Sequence, residues 1–369
     1  MKIQSIQAIP IRMPLTQQFD GATYAITERC TIVVEILTDN GPSGHIFLGD
    51  HRNQQAEIVA LIHDQLRPIL IGEDPIRIDR CWQKMFQLTR RLGNRADTCA
   101  AIAAVDAALW DLTGKACGQP VVKLVGGCRD RAQPIIIAGY YGPGKDLAAL
   151  QDEFLAIQAQ GFAGAKVKVG GLAPIEDAKR IEAIRAAVGS DFIIACDANQ
   201  GWDRWDAVSF GLAVKHLDIA WFEEPVQWHD YAPGMRFVRE QTGLAVTAGQ
   251  SDFYHAACRD YIEQRAVDIL NHDISGGSGI TDWLKLARMA ELYQVRMAHH
   301  EDPLLAMHLL AGIPLGLYPE YFSAQRDPLT PAIVPDQPAF ENGWLAVSQE
   351  PGFGLTFDES FINRYRVDR

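Results

Sequence analysis

The chain has 369 residues, more than one hydrophobic core usually serves, so two domains or one large barrel with additions is expected. Apolar residues make up 48% and charged residues 22%, the balance of an ordinary globular protein, and the formal net charge of −12 speaks against a nucleic-acid partner, which needs a basic face. Seven cysteines without a CxxC pair suit a reducing cytoplasm better than a disulfide framework, and no apolar stretch reaches the length of a membrane span. A soluble cytoplasmic protein is the expectation, and a small anionic substrate stays compatible with the overall charge because it responds to local charge.

Residues 1–50 read as strands: "IQSIQAIPIRM" and "RCTIVVEILTDNGPSGHIFLG" carry β-branched runs, with a turn signal at Asp39-Asn40-Gly41. From about residue 54 to 117 the pattern is helical, in "NQQAEIVALIHDQLRPILIG" and then "TCAAIAAVDAALWDLTGKACG", where Gly118 follows a lysine-bearing last turn as a C-cap does. An antiparallel sheet followed by helices makes an α+β unit over 1–125. After about residue 130 the texture alternates. Short β-rich runs, from "PIIIAGYYG" through "GAKVKVG", "FIIACDAN", "IAWFEEP", "LAVTAGQ", "VDILNHD" and "VRMAHH" to "GLYPEYF", are separated by amphipathic helical stretches. Eight strand candidates with seven helices between them predict an α/β fold, a modified TIM barrel of the (β/α)7β kind over 126–340. The tail, 341–369, returns to turn-rich β texture and is expected to pack back on the first unit, completing a capping domain.

A barrel carries its active site at the carboxyl ends of its strands. Here those ends collect ionisable and amide side chains: Lys166 and Lys168 on the second strand, Asp197 and Asn199 on the third, Glu223 and Glu224 on the fourth, Gln250 on the fifth. Asp273 follows on the sixth, His299 and His300 on the seventh, and Glu320 on the eighth. Two lysines at i and i+2 of a strand share a face, and burying both is costly unless something nearby uses them.

Asp197, Glu223 and Gln250, on adjacent strands, offer only oxygen, which suits a hard cation such as Mg²⁺ and not zinc. Taken singly, each has a plainer explanation as a surface residue at a loop start. A divalent ion next to a substrate carboxylate stabilises the enediolate formed when the α-proton leaves. Lys168 then suits proton transfer, its pKa lowered by Lys166 and the metal, while Lys166 holds charge and the substrate carboxylate. Across the mouth, Asp273 and one strand-7 histidine form an orienting dyad, with His299 and His300 competing for the role. Glu320, if protonated, donates a hydrogen bond to a developing enolate oxygen.

Together these residues resemble the mandelate racemase branch of the enolase superfamily over essentially the whole chain. The matching motifs are "KVKVG", "DAN", "FEEP", "VDILNHD…GGSGITD" and "AHH" in the barrel, "AALWDLTGKACGQPVVKLVGG" (107–127) joining cap to barrel, and "PGFGLTFDE" in the tail. The resemblance implies Mg²⁺ on Asp197, Glu223 and position 250, Lys168 as one acid/base, and Glu320 as the electrophilic glutamate. It selects His300 over His299 as the second acid/base. It places specificity loops in the cap around 16–24 and 49–53, with Tyr24 and His51 as candidates for substrate binding alongside Asn199. A homo-oligomer, dimer or octamer, is also implied. The sixth strand lacks a lysine, which argues against the muconate cycloisomerase and dipeptide epimerase branch. Most relatives carry a carboxylate where this chain has Gln250; an amide oxygen still ligates but removes one negative charge, and Asp252 is an alternative ligand.

The leading expectation is dehydration of an acid sugar, an aldonate or aldarate, to a 2-keto-3-deoxy acid. Racemisation or epimerisation of a 2-hydroxy or amino acid needs the same two carriers and no leaving group. A non-catalytic paralogue is the reading from a different class, favoured only by Gln250.

Overall fold

The computed structural model describes residues 1–338 and 340–367. Residues 339, 368 and 369, within the predicted barrel unit and closing segment, lie outside the described residues.

The β-branched runs near the start form an antiparallel sheet, β1 (Ile3–Asp20), β2 (Ala25–Thr38) and β3 (Gly44–Leu48), with Ile6 opposite Ile36 and Ile32 opposite Leu48. β1 resumes pairing beyond an irregularity, with Phe19 opposite Ile26 and Asp20 opposite Ala25. The predicted 16–24 loop is therefore mostly a strand end with a tight turn, which gives its side chains fixed positions.

The helices α1 (Gln55–Leu61), α2 (Arg67–Leu70), α3 (Ile78–Phe86), α4 (Arg95–Cys117) and α5 (Val121–Val125) follow, α1 and α2 being joined through a π-helical turn at Ile62–Leu66. Asn94 caps α4 by accepting from the Asp97 N–H at 3.2 Å, and Gly118 ends it at φ +62°, the left-handed turn that glycine adopts without a Cβ penalty. α4 is buried on nearly every side. Its two inner carboxylates hold neighbouring pieces together. Asp111 accepts from the N–H groups of His45 (2.9 Å) and Phe353 (3.0 Å), while Asp106 accepts from the N–H (2.8 Å) and hydroxyl (2.7 Å) of Thr281.

A short strand β4 (Arg131–Ala132) leads into the barrel. Its strands are β5 (Ile135–Ala138), β6 (Gly164–Lys168), β7 (Ile193–Asp197), β8 (Phe222–Glu223), β9 (Val246–Ala248), β10 (Ile269–Leu270), β11 (Arg296–His299) and β12 (Gly316–Tyr321). They pair in chain order and close, β12 against β5. Seven helices cover the outside: α6 (Leu147–Ala159), α7 (Pro174–Val188), α8 (Arg204–Val214), α9 (Tyr231–Thr242), α10 (His255–Glu263), α11 (Ile280–Tyr293) and α12 (Pro303–Gly312). This is the (β/α)7β barrel with an α+β cap that the alternation predicts.

The inside of the barrel explains where the polar residues stand. Ile135, Ala195, Trp221, Ile269 and Ala298 form one apolar plug. Strand side chains repeat every two residues, so Asp197, Glu223, Asn271 and His300 come next above it, on the inner face at the mouth. Glu320 follows Tyr318, which packs against the plug, by the same step.

After β12 come α13 (Leu329–Ile333), β13 (Phe340–Glu341), β14 (Trp344–Ala346) and α14 (Glu359–Tyr365). The tail thus ends in a helix, not in the predicted β texture. The Val367 N–H donates to Pro10 O at 2.9 Å, and Phe357 stacks on His45 with ring centroids 3.9 Å apart. All seven cysteines are free thiols, and no described helix is long and apolar enough to cross a membrane.

Candidate active site

Lys168, Asp197 and Glu223 sit opposite one another in register across β6, β7 and β8. The Lys168 ammonium donates to Asp197 Oδ2 at 2.7 Å and to Asn199 Oδ1 at 3.0 Å. The Lys166 ammonium donates to Glu223 Oε1 at 2.5 Å and to Glu320 Oε1, and lies 3.5 Å from Asp197 Oδ2. Both lysines are almost wholly buried, at 1% and 3% exposure, which excludes the reading of them as surface cations.

Burial pushes both lysine pKa values down, but the surrounding carboxylates outweigh it, and Lys168 is raised well above its ordinary value by Asp197. The two lysines do lower each other, but the expected net lowering of the Lys168 pKa is not found without a metal, because the Asp197 carboxylate in contact outweighs the neighbouring cation. Asp197 has the complementary shift, burial raising its pKa and the two lysines bringing it to about 2. Glu223 goes the other way, to about 7, because burial together with Asp197 and Glu320 outweighs Lys166. Glu320 is a second correction. Burial raises its pKa, yet Lys166 and His300 hold it below the usual carboxylate range, and its Oε2 accepts from the Glu301 N–H at 2.9 Å. In this state it is an ionised acceptor and not a donor.

On the other flank, His300 Nδ1 lies 2.8 Å from Asp273 Oδ2. Burial lowers the His300 pKa, but Glu320 and Asp273 carry it to about 9. His299 turns away, its ring between the Ile274 N–H (3.3 Å) and Glu301 O (3.3 Å) and 6.3 Å from the Trp283 ring. Alternation along the strand decides between the two histidines. β6, which ends in Lys168, and β11, which His300 directly follows, stand three strands apart one way round the barrel and five the other.

The cap supplies one group to each flank. Tyr24 places its ring 5.7 Å from the Lys168 ammonium, and burial lifts its phenol pKa to about 12. His51 folds over Gly49, where a Cβ would stand 2.5 Å from the imidazole Nε2; burial keeps its pKa low despite the nearby Asp273.

A divalent ion fits the chemistry of the remaining donors. Asp197 and Glu223 already flank one cation, the Lys166 ammonium, and the buried Gln250 Oε1 has no hydrogen-bond partner. Among the described residues no three His, Cys, Asp or Glu side chains are placed to share a metal. Asp252, the alternative ligand, has a buried Oδ2 that likewise lacks a hydrogen-bond partner, while Tyr261 bonds to its carboxylate and its charge raises the Glu224 pKa. Glu224, likewise turned from the lysines, accepts from Gln200 (2.5 Å), the Gly249 N–H (3.1 Å) and Ser251 (3.1 Å).

Several residues around the mouth were not among the sequence candidates. Asn271 donates to Glu223 Oε1 at 2.9 Å and Trp221 to Glu223 Oε2 at 2.9 Å. Both stand two residues before a candidate on the same strand, and that spacing was the available signal. Arg29, Tyr140, Glu301 and Arg326 carry no such signal, since loops and the cap bring them in.

The fold is that of enolase-type enzymes. Residues 149–361 match the enolase C-terminal domain-like family and residues 6–126 the mandelate racemase/muconate lactonizing enzyme N-terminal domain, and the chain belongs to that family. It is 31% identical to the arabinonate dehydratase of Saccharolobus solfataricus, over 82% of this chain and 81% of that one. It is 29% identical to the 3,6-anhydro-alpha-L-galactonate cycloisomerase of Streptomyces coelicolor, over 99% of both. A mandelate racemase/muconate lactonizing enzyme from a marine actinobacterium, solved with magnesium, superposes with a TM-score of 0.92 at 40% identity, covering 100% of this chain and 99% of that one.

Proposed function

We propose that the protein is a Mg²⁺-dependent acid-sugar dehydratase that converts an aldonate or aldarate to a 2-keto-3-deoxy acid. The observation that carries this reading is the pair of held carriers at the strand ends, Lys168 bonded to Asp197 and His300 to Asp273, on strands three apart one way round the closed barrel and five the other. The dehydratase and the magnesium-bound relative support it.

Asp197, Glu223 and the Gln250 amide oxygen would hold the ion, which supplies positive charge to the substrate carboxylate and to the enediolate. Lys166 adds its own charge beside that carboxylate, kept cationic by Glu223 and Glu320. Asn199, Tyr24 and His51 line the substrate. One carrier, Lys168 or His300 according to the configuration at C2, takes the C2 proton, and the C–H electron pair becomes the C1–C2 double bond. As the electrons return, the C3–O bond breaks, and a protonated carrier delivers its proton so that the hydroxyl leaves as water. The resulting enol becomes the 2-keto acid. In the resting state both carriers hold protons near neutral pH, so one must first be released. For Lys168 the hold is Asp197, whose carboxylate raises the amine pKa; were Asp197 to hold the ion, that pull on the amine would be reduced.

The second reading is 1,1-proton transfer, racemisation or epimerisation, favoured by the same two carriers. A panel of acid sugars assayed with semicarbazide for 2-keto acid separates the two, because a racemase gives no keto acid yet exchanges the α-proton in D₂O. Lys168→Ala and His300→Ala are each expected to lower kcat by about 10³-fold or more. Activity indifferent to both substitutions would remove the mechanism.

A further inference from the structure

Arg326, in the segment between β12 and α13, is 2% exposed, yet its donors are poorly used. Its Nε donates to the Tyr140 hydroxyl at 3.1 Å, one terminal nitrogen reaches Glu301 Oε1 at 3.4 Å, and the other has no partner. The contrast with Arg29 is informative. Arg29 bonds both oxygens of the same Glu301, at 3.1 and 3.3 Å, as well as Asp50, and lies 3.5 Å from Asp327, although its Nε, too, has no hydrogen-bond partner. Glu301 is therefore largely committed to Arg29, and Arg326 keeps a buried charge and a bare N–H pair, an arrangement that costs free energy unless a ligand completes it.

Its position fits such a ligand. Phe322 and Tyr140 wall the guanidinium at 5.0 and 5.9 Å, and Glu301 directly follows His300. Glu301, which Arg326 reaches, also donates its N–H to Glu320 Oε2 at 2.9 Å, and Glu320 is bonded to the Lys166 ammonium, so Arg326 stands beside that end of the carboxylate and lysine cluster. With Phe19, Ile137, Ser323 and Gln325, Arg326 and Tyr140 also line a cavity of about 760 Å³ that adjoins β5 and α6 and whose lining does not include Lys168 or His300. A carboxylate has the two oxygens and the negative charge that match a guanidinium fork; a hydroxyl answers one N–H and leaves the charge.

We infer that Arg326, assisted by Tyr140, binds a second carboxylate at the far end of the substrate, so that the acid sugar taken here is a dicarboxylate. The inference rests on the proposed acid-sugar chemistry and narrows it from aldonates and aldarates to aldarates. The test pairs acids that differ only at that end, galactarate with galactonate and glucarate with gluconate, in the presence of Mg²⁺. Turnover and the ligand-induced rise in melting temperature are both read. In the wild-type protein at least one diacid is expected to exceed its monoacid by about 10- to 100-fold in kcat/KM. Arg326→Met removes that margin, lowering the diacid value by the same factor and the monoacid value at most severalfold, and Arg326→Lys recovers part of it. Monoacids turned over as well as diacids, or an equal loss on both in Arg326→Met, overturns the subsite while leaving dehydration intact. If no acid of either kind is turned over or raises the melting temperature, the inference and the acid-sugar reading fall together. The wild-type comparison decides the matter even if Arg326→Met does not fold.

Discussion

Burial alone would strip His300 of its proton, yet Glu320 and Asp273 carry its pKa to about 9. The sign of the consequence follows from linkage. The folded value lies above the ordinary value near 6.5, so the stabilisation is complete below about pH 6.5 and is lost as pH rises through about 9. Allowing for partial exposure, it is on the order of 2 kcal/mol. The difference in melting temperature between wild type and His300→Asn should therefore shrink between pH 6.5 and 9.5; a constant difference would show that the imidazolium adds nothing. Asp197, Glu223, Asp273 and His300 were legible because each closes a β-rich run. The charge states were not, because they depend on which carboxylate touches which ammonium: Glu320 becomes an anion only through Lys166 and His300. The choice between His299 and His300 followed from counting in the family pattern, and the alternation of the strand gives its physical reason.

At the level of elements, the cap and the barrel meet through buried polar contacts. Arg29 of β2 bonds Asp50 of the cap and Glu301 beyond β11 while being 6% exposed. Arg29→Met leaves those carboxylates buried without their main cation and is expected to cost about 3–5 kcal/mol, read as a lower urea midpoint. An unchanged midpoint would mean that the network does not hold the two together. Asp106 of α4 does a related task, receiving the N–H of Thr281 at the start of α11 as well as its hydroxyl. The eight strands and seven helices could be read from periodicity, since a strand that is buried on both faces between helices keeps its apolar run. The length of β1 could not, because its far end is extended by pairing with the start of β2 and not by its own polar, glutamine-rich sequence.

For the whole molecule, the site gathers two buried lysines and three carboxylates, Asp197, Glu223 and Glu320, whose contacts a divalent ion held there would rearrange. Mg²⁺ at a hundred times its Kd should stabilise the protein by about 2.7 kcal/mol and raise the melting temperature by a few degrees, reversed by a chelator. Asp197→Asn should abolish this rise, and a rise that persists in that variant would move the metal elsewhere. By itself the sequence determined the alternation of strands and helices and the residue types at each strand end, because side-chain period and turn chemistry are local properties. Only the tertiary structure decided which of those residues face one another, which cap residues join them, and which carry charge. Those outcomes depend on contacts between segments as far apart as Lys166 and Glu320, and no local pattern encodes them.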